Sequence, residues 1–285
     1  MIIAVVGPTG IGKTKLSILL AKKYNAIVVN CDAMQVYKEM NIGTAKIKEN
    51  EKEGIKHFLF GIKSITENYS VYDYQKDLRN IIDSNLNNNV IIVGGTGLYL
   101  KAGLFDYHFD KHKELLTFDN YSNEELYELV KKEDPNTQIH LNNRRRLINY
   151  LNINHLPQKK NNQLYEAIFI GLTMDREKLY QIIEERVDQQ INNGLMIEVK
   201  SLFDQGINTI PINTAIGYKE LYQYFYGNIS LDDAIALIKK NTRHYVKKQY
   251  TWFNNQMNIK WFESNINDFA ITYNDVINYI DTLDK

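Results

Sequence analysis

The sequence contains little cysteine and proline, with one Cys and four Pro among its 285 residues. The single cysteine, Cys31, excludes an internal disulfide and is typical of a reducing compartment, so we expect a cytoplasmic protein. No apolar run is long enough to span a bilayer, and no signal peptide precedes the first apolar segment at Ile2. The six histidines show no zinc-ligand spacing. These absences argue against a secreted disulfide scaffold, a membrane-spanning protein and a structural zinc module.

The chain also lacks net charge, because 34 Lys and Arg balance 34 Asp and Glu. Zero net charge argues against a nucleic-acid partner, but the charges are segregated along the sequence. Residues 137–165 contain five basic side chains and no acid, and residues 234–262 contain six basic side chains and no acid. A segregated surface binds a polyanion despite a neutral total, whereas the alternative interpretation is the solvated faces of ordinary helices. Composition alone leaves both interpretations open.

Arginine is scarce, since the chain has only seven Arg and uses Lys for its other cations. A chain that uses lysine by default is expected to keep arginine where the planar, bidentate guanidinium matters. Three of the seven are consecutive, at Arg144, Arg145 and Arg146, and Arg243 lies in the second acid-free segment. These four arginines are therefore candidates for functional contacts.

A glycine-rich loop stands within the first fourteen residues. The apolar run from Ile2 to Val6 precedes a G-x-x-x-x-G-K-T motif, and an amphipathic segment follows it. A strand, this loop and a helix form the phosphate-binding loop, in which backbone N–H groups and the helix N-terminus surround an anion. Lys13 supplies a charge for the outer phosphate, and the Thr14 hydroxyl is a candidate Mg²⁺ ligand. The loop predicted to bind a diphosphate or nucleotide consists of Gly7, Pro8, Thr9, Gly10, Ile11, Gly12, Lys13 and Thr14.

Further apolar runs predict a parallel sheet. Continuous apolar strands are typical of parallel sheets covered on both faces, and strands that alternate with helices indicate a doubly wound α/β core. We therefore predict a P-loop NTPase-like fold in which helices flank a parallel sheet. The strand pattern disappears at 107–164, which predicts a helical insertion in a core formed by 1–106 and 165–285, with a helical C-terminal part. The predicted strands are residues 2–6, 26–30, 57–62, 90–93 and 167–172.

A long helix is predicted over residues 230–253, where Ser230 and Asp233 form an N-terminal capping signal. Apolar and aromatic side chains repeat at helical spacing on one side and are expected to pack on the core. Four cations lie within a narrow arc on another side, without an acid to pair with them. The helix is therefore predicted to present a cationic face. These cations are Lys239, Lys240, Arg243 and Lys247.

Two polar residues follow strands at the sheet edge where α/β proteins bind ligands. Asp32 ends the second strand, and a carboxylate there is able to accept a proton from a nucleophile. Thr96 follows the strand at 90–93, where a motor-type NTPase would carry its Mg²⁺-binding acid. The missing acid argues against a hydrolytic ATPase and favours a transferase whose loop holds a phosphate or diphosphate. A helix cap is the alternative role for each side chain, and the sequence leaves that alternative open.

Five motifs follow one another along the chain, the first being the loop at 7–14. The others are Asp32-Ala33-Met34-Gln35-Val36-Tyr37 with Asn41-Ile42-Gly43-Thr44-Ala45-Lys46, Gly94-Gly95-Thr96-Gly97-Leu98-Tyr99, Ala215-Ile216-Gly217-Tyr218-Lys219-Glu220, and Asn241-Thr242-Arg243 with Gln249, Thr251, Trp252 and Phe253. With these motifs the chain closely resembles the tRNA dimethylallyltransferase family, also called tRNA isopentenyltransferases or IPP transferases, from residue 2 to residue 262. One motif would be weak support, whereas five in order are highly specific.

The resemblance implies a reaction in which a dimethylallyl group moves from dimethylallyl diphosphate to the N6 amine of the tRNA adenosine just 3′ of the anticodon. It implies that the loop grips the diphosphate of the donor, with Mg²⁺ as the cofactor at Thr14. Asp32 matches the general base of the family, and Thr96 matches a residue that helps to place the reacting centre. Arg243 matches a residue thought to contact the diphosphate near the breaking bond. The expected partners are dimethylallyl diphosphate and the anticodon arm of tRNA, and the expected state is a monomer.

The resemblance also implies which residues contact tRNA, and it assigns the insertion at 107–164 to clasping the anticodon arm. Residues that match segments at the substrate base are Asp32, Ala33, Met34, Gln35, Thr96, Thr214, Ala215, Ile216, Gly217, Tyr218 and Lys219. Residues that match an anticodon-arm segment are Arg144, Arg145, Arg146, Leu147 and Ile148. The chain departs from the family pattern at 140–143, where His-Pro-Asn-Asp is usual, and it is short for the family near 110–114 and 155–163.

Three other functions remain open at the level of sequence. An adenylate isopentenyltransferase would use a free adenine nucleotide as acceptor, although the insertion and the long basic helix favour RNA. A P-loop small-molecule kinase would transfer a phosphoryl group from ATP, with Asp32 as the base and residues 144–146 as a lid. A non-catalytic RNA-binding module would show the same biochemical behaviour before and after the Asp32→Ala substitution. The identity of the acceptor, the identity of the donor and the effect of Asp32→Ala therefore discriminate among these functions.

Overall fold

A six-stranded sheet forms the centre of the computed structural model, which describes residues 1–85, 88–109, 117–152 and 162–283. Its strands are β1 (Ile2–Val6), β2 (Ala26–Asn30), β3 (His57–Phe58), β4 (Asn89–Gly94), β5 (Ile168–Thr173) and β6 (Lys260–Glu263). The strand order is β3-β2-β4-β1-β5-β6, and neighbouring strands run parallel. This parallel sheet, flanked by helices, confirms the predicted fold class.

Two strands differ from the prediction by more than one residue at either end. The strand predicted at 57–62 ends at Phe58, because Leu59 adopts a positive φ of 64° and the chain turns there. The edge strand β6 has no counterpart in the predicted set, since it spans only four residues with exposed ends. It pairs with β5 between Ile170 and Thr173, and a local sequence pattern contains no information about such a long-range contact.

The helices follow the predicted alternation with strands. Ser230 caps the longest helix by accepting the Asp233 N–H at 3.1 Å, so the predicted start signal is confirmed. No helix in the described part of the chain is long and apolar enough to cross a membrane. The helices are α1 (Lys13–Tyr24), α2 (Val71–Ser84), α3 (Gly97–Leu104), α4 (Asn123–Glu133), α5 (Arg144–Asn152), α6 (Arg176–Gln190), α7 (Met196–Asp204), α8 (Ile210–Thr214), α9 (Tyr218–Phe225), α10 (Leu231–Gln256) and α11 (Phe269–Leu283).

The sheet separates two apolar layers. Successive residues of β1 point to opposite faces, so Ala4 and Val6 belong to one layer, and Ile3 and Val5 belong to the other. The first layer packs against α2, α3, α9 and α10, and the second packs against α1 and α11. Because both faces are covered, the central strands are apolar without alternation, which is the pattern that the sequence shows.

The chain divides into two compact units. Met1–Phe105 and Gln163–Lys285 form the first unit, and Asp106–Asn162 forms the second, close to the insertion predicted at 107–164. The second unit has its own small core, in which α4 and α5 pack around Leu126 and Leu147. The stretches that are short for the family, near 110–114 and 155–163, lie largely outside the described residues.

Candidate active site

A cavity of about 760 Å³ opens at the carboxyl ends of the central strands. It collects residues from the loop after β1, from the ends of β2 and β4, and from α6 and α10. Its volume suits a small-molecule ligand, and its position is where parallel α/β sheets bind ligands. The predicted site residues in its wall are Thr9, Gly10, Gly12, Lys13, Thr14, Asp32, Ala33, Met34, Gln35, Thr96, Thr214, Ala215, Ile216, Gly217 and Lys219. Predicted residues of the same unit that do not line it are Gly7, Pro8, Ile11, Tyr218 and Arg243.

The loop between β1 and α1 leads into a helix N-terminus at the cavity, as the sequence predicts for a phosphate-binding loop. Gly12 has a φ of 93°, and a Cβ there would lie 2.5 Å from the Phe269 ring, so only glycine fits. α1 begins at Lys13, directly after the loop, so its free N-terminal N–H groups lie at the cavity. The Lys13 ammonium donates to the Pro8 carbonyl at 2.6 Å. Ile11 is fully buried and supports the loop from the core.

Lys13 and Arg186 share the cavity wall with the Asp32 carboxylate. Burial lowers the pKa of Lys13 to about 8, and while the Asp32 carboxylate opposes this shift, the Arg186 cation adds to it. Burial also lowers the pKa of Arg186, again opposed by Asp32. A guanidinium nevertheless stays charged in proteins, because its reference pKa is very high. Two positive charges beside a carboxylate suit the binding of a diphosphate and the transfer of a proton.

Arg186 is a site residue that none of the five motifs marks. It lies on α6, where Ile183, Arg186, Val187 and Gln190 form the side that lines the cavity. The sequence feature that could have identified Arg186 is its helical spacing from two buried aliphatic residues, in a chain with few arginines. A charged residue on the apolar side of a helix requires a polar partner, and this indicates a site.

Asp32 follows β2 and is held in place by its neighbours. The buried Asn30 side chain accepts the Asp32 N–H at 2.9 Å and donates to the Asp32 carbonyl at 2.9 Å. The carboxylate oxygen Oδ1 accepts the Met34 N–H at 2.9 Å in a local turn, and the helix-cap alternative therefore does not apply. Within the described ranges, no donor contacts the other oxygen, Oδ2, which is available to a ligand.

Thr96 lies at the end of β4, the strand beside β2. Its hydroxyl accepts the Ala33 N–H at 3.0 Å, and its own N–H donates to the Cys31 carbonyl at 3.0 Å. Although Thr96 occupies the N-cap position of α3, its side chain makes no capping hydrogen bond. The hydroxyl instead ties the residue after Asp32 to the turn that precedes α3. Tyr245 is exposed, but its hydroxyl contacts Thr96 in a desolvated position, and this desolvation together with the Asp32 charge raises the pKa of Tyr245.

Arg243 lies outside the cavity wall, although the resemblance implies that it contacts the diphosphate. Its guanidinium forms an ion pair with Glu184 of α6, and Lys239 pairs with Asp188 at 2.7 Å. The two cations lie four residues apart on α10, and the two acids lie four residues apart on α6. The helix α6 therefore supplies the acids that this face of α10 lacks. The expectation of an unpaired cationic face was therefore wrong for these two cations, because the pairing depends on how the helices pack.

Tyr218 is the one residue of the 214–219 segment that turns away from the cavity. It is fully buried and donates its hydroxyl proton to Glu198 at 2.5 Å. Burial and the Glu198 carboxylate raise the pKa of Tyr218 well above its usual value. The resemblance implies that Tyr218 contacts the substrate base, but in this structure its hydroxyl contacts Glu198 inside the protein.

The segment 144–148, which begins α5 in the second unit, contains side chains in different environments. The Arg144 guanidinium donates to two backbone carbonyls, both at 2.6 Å, and so supports the fold of this unit. Leu147 is fully buried, and Ile148 packs beside it. Arg145 and Arg146 are exposed. The part of this segment that is open to a polyanion is therefore the pair of exposed arginines.

The donor set near the loop fits a magnesium ion held mainly by phosphate oxygens. Among the residues that the structure describes, no three His, Cys, Asp or Glu side chains cluster as a metal site. Mg²⁺ commonly takes one or two protein ligands and fills its octahedral shell with water and substrate phosphate oxygens. The exposed Thr14 hydroxyl at the start of α1, in one cavity wall with Asp32, meets that requirement.

Comparison with known proteins covers nearly the whole chain. The family model described as IPP transferase matches residues 35–256. The chain is 44% identical over 300 residues to the tRNA dimethylallyltransferase of Anoxybacillus flavithermus, covering 98% of this chain and 96% of that protein. It is 42% identical over 283 residues to the tRNA dimethylallyltransferase of Bacillus subtilis, covering 92% of this chain and 90% of that protein.

Solved structures extend the similarity to three dimensions. The tRNA isopentenylpyrophosphate transferase of Bacillus halodurans has a TM-score of 0.77 at 40% identity, covering 99% of this chain and 95% of that chain. A eukaryotic dimethylallyltransferase acting on tRNA has a TM-score of 0.80 at 28% identity, covering 93% of this chain and 74% of that chain. The chain therefore belongs to the IPP transferase family, the tRNA dimethylallyltransferase family that its five motifs resemble.

Proposed function

We propose that this protein is a prenyltransferase that moves a dimethylallyl group from dimethylallyl diphosphate to N6 of the adenosine 3′-adjacent to the anticodon of tRNA, releasing diphosphate. The observation that carries the proposal is the cavity, where a phosphate-binding loop, Lys13 and Arg186 meet the Asp32 carboxylate. Family membership supplies the substrate class, because relatives above 40% identity are named tRNA dimethylallyltransferases.

The donor half of this reaction needs a site for the leaving group. The C1–O bond of dimethylallyl diphosphate breaks, and its electron pair goes to the diphosphate oxygen, where negative charge develops. The N–H groups of the loop, the Lys13 ammonium and the Arg186 guanidinium border the cavity and would stabilise that charge. Mg²⁺ bound by the Thr14 hydroxyl and by diphosphate oxygens would supply further charge neutralisation.

The acceptor half needs a proton acceptor beside the reacting amine. The N6 lone pair forms the new bond to C1, and N6 then gives a proton to the Asp32 carboxylate. Asn30 and Met34 orient Asp32, while Thr96 holds the adjacent backbone, so the base is in place before the substrate binds. The adenine has to leave the anticodon stack to reach the cavity, as it does in other enzymes that modify bases.

We assign binding of the anticodon arm to the second unit and reading of the base to the cavity wall. Exposed Arg145 and Arg146 suit contacts with phosphates. Splayed loop bases are read through hydrogen bonds to their polar edges, and Gln35, Thr214 and Lys219 of the wall carry polar side chains for such contacts. One chain supplies all of these groups, so we propose that a monomer is active. The buried, unpaired Cys31 suits a reducing cytoplasm.

The test is mass spectrometry of nucleosides after an unmodified tRNA transcript is incubated with the protein, Mg²⁺ and dimethylallyl diphosphate. N6-dimethylallyladenosine is the expected product. A transcript with guanosine in place of the target adenosine is the matched control and should remain unmodified. Product from AMP without product from tRNA would instead support an adenylate isopentenyltransferase. Phosphoryl transfer from ATP without prenyl transfer would support a kinase.

A further inference from the structure

A carboxylate outside the cavity holds part of the cavity wall. Glu198, half-buried on α7, accepts three consecutive backbone N–H groups, and it also accepts the Tyr218 hydroxyl at 2.5 Å. The three N–H groups belong to Asn41 at 3.0 Å, Ile42 at 2.9 Å and Gly43 at 3.2 Å. Four donors converge on two charged oxygens, and charge-assisted hydrogen bonds are stronger than neutral ones.

The same loop is held through its carbonyl groups by the end of α6. The Gln190 Nε2 donates to the Ile42 carbonyl at 2.8 Å and to the Gly43 carbonyl at 3.0 Å. Gly194, with a φ of 101°, kinks the chain between α6 and α7. Because of this kink, Glu198 of α7 and Gln190 of α6 both reach residues 42 and 43. Glu198 accepts their N–H groups, and Gln190 donates to their carbonyls.

The clamped residues lead directly into the cavity. Gly43, Thr44 and Ala45 are part of its wall, and the Thr44 carbonyl accepts the Gln35 Nε2 at 3.0 Å. The loop therefore also orients the Gln35 side chain, which lines the cavity near Asp32. On the other side, the Tyr218 ring fits against Gly43 so closely that a Cβ there would lie 2.4 Å from the ring. The contact between Glu198 and Tyr218 thus joins two wall segments, 33–45 and 214–219.

We propose that Glu198 is a positioning residue for the acceptor side of the reaction. Its carboxylate locks residues 41–43 against the segment 214–219, so that Gln35 and Thr44 meet the adenine in one fixed geometry. Glu198 is not in the cavity wall and acts only through these neighbours. The inference rests on the proposed function, because it assigns the wall segments to the tRNA base. The phosphate-binding loop makes no hydrogen bond to Glu198, so binding of the donor is independent of it.

The test compares Glu198→Gln with Glu185→Gln, which makes the same chemical change at an exposed position of α6. The glutamine keeps the shape but offers one acceptor oxygen and turns an NH₂ group toward N–H donors. We expect kcat/KM for tRNA to fall at least about tenfold, because small misplacements of positioning groups cost up to about 10²-fold. The KM for dimethylallyl diphosphate should stay within about twofold. Amide hydrogen exchange should accelerate at residues 41–43 while core strands keep their protection.

The outcomes distinguish a failure of the proposed function from a failure of the positioning role of Glu198. A wild-type protein that yields no N6-dimethylallyladenosine contradicts the proposed function itself. An active wild type with unchanged kcat/KM or unchanged exchange at 41–43 in Glu198→Gln overturns the positioning role. If Glu198→Gln does not fold, Tyr218→Phe decides, because it removes one of the four hydrogen bonds and keeps the ring. A Tyr218→Phe protein with wild-type kinetics and wild-type exchange at 41–43 overturns the proposal as well.

Discussion

The backbone N–H of Ala33 donates to the Thr96 hydroxyl oxygen over 3.0 Å. This hydrogen bond joins the carboxyl ends of the neighbouring strands β2 and β4, one residue after Asp32. Its two partners lie 63 residues apart in the sequence. A side-chain hydroxyl therefore fixes the backbone that carries the proposed general base, and this relationship can be tested with a substitution that preserves shape.

Thr96→Val keeps the shape of the side chain and removes the acceptor for the Ala33 N–H. An unpaired buried N–H costs about 1–3 kcal/mol, so we expect the loop at Asp32 to shift and kcat to fall about tenfold. Thr96→Ser retains the hydroxyl and should keep most of the activity. Steady-state kinetics with a tRNA transcript measures both variants. A Thr96→Val enzyme as active as Thr96→Ser would show that the hydrogen bond does not position the base.

Asp32→Asn removes the proton acceptor and preserves an oxygen for the Met34 N–H. We expect kcat to fall by about 10² or more, the usual contribution of a general base, while tRNA binding stays within about twofold. Single-turnover assays and filter binding measure the two effects separately. Asp275→Asn, at an exposed position of α11, is the matched control and should behave as wild type. Near-normal turnover of Asp32→Asn would exclude this carboxylate as the base.

Arg186 and Arg243 form a matched pair of substitutions on facing helices. Arg186→Gln removes a cavity cation, and we expect kcat/KM for dimethylallyl diphosphate to fall about 10²- to 10³-fold. Arg243→Gln breaks an ion pair with Glu184 outside the cavity wall and should change the same parameter by less than about tenfold. Calorimetry with pyrophosphate provides a second measurement. The opposite order of effects would return Arg243 to the diphosphate role that the family resemblance implies.

The ionisation of Lys13 predicts a pH dependence of diphosphate binding. Its pKa is lowered from 10.5 to about 8, so the ammonium loses its proton as the pH rises through 8 in the free protein. We expect the affinity for pyrophosphate to be flat with respect to this group below pH 8 and to fall by up to about tenfold per pH unit above it. Calorimetry between pH 7 and 9.5 measures the change.

Lys13→Arg is the control for this experiment, because arginine stays charged and reveals any effect from ionisation of pyrophosphate itself. A wild-type profile identical to that of Lys13→Arg would contradict the lowered pKa. The same shift has a consequence for stability. Between pH 8 and 10.5 the unfolded chain holds a proton on Lys13 that the folded chain has lost, so this group makes stability rise with pH across that window.

Arg144 and Arg145 should separate folding from tRNA binding. Arg145→Gln removes an exposed cation, so the slope of log affinity for tRNA against log salt should decrease in magnitude by about one. Arg144→Gln removes donors to two backbone carbonyls and should lower the stability of the second unit instead. Binding titrations in increasing KCl and thermal melting measure these effects. An unchanged salt slope for Arg145→Gln would show that this arginine contacts no phosphate.

Local sequence patterns were sufficient to predict the elements that are determined by residues close together in the sequence. The loop at residues 7–14, which is predicted to bind phosphate, is specified by glycines, a lysine and a following helix within a few residues of one another. The central strands are specified by continuous apolar runs, and the cap of α10 by Ser230 and Asp233. The edge strand β6 was missed, because four half-exposed residues become a strand only when β5 offers an edge.

The amino-acid sequence was enough to predict the parallel α/β fold, the loop at residues 7–14 and the family. Which charges share the cavity and which are paired elsewhere depended on how the helices pack. Arg243 meets Glu184 from 59 residues away, and the Ile42 N–H meets Glu198 from 156 residues away. The physical reason is that helical periodicity fixes the face on which a side chain lies. The packing of one helix against another decides what that face meets.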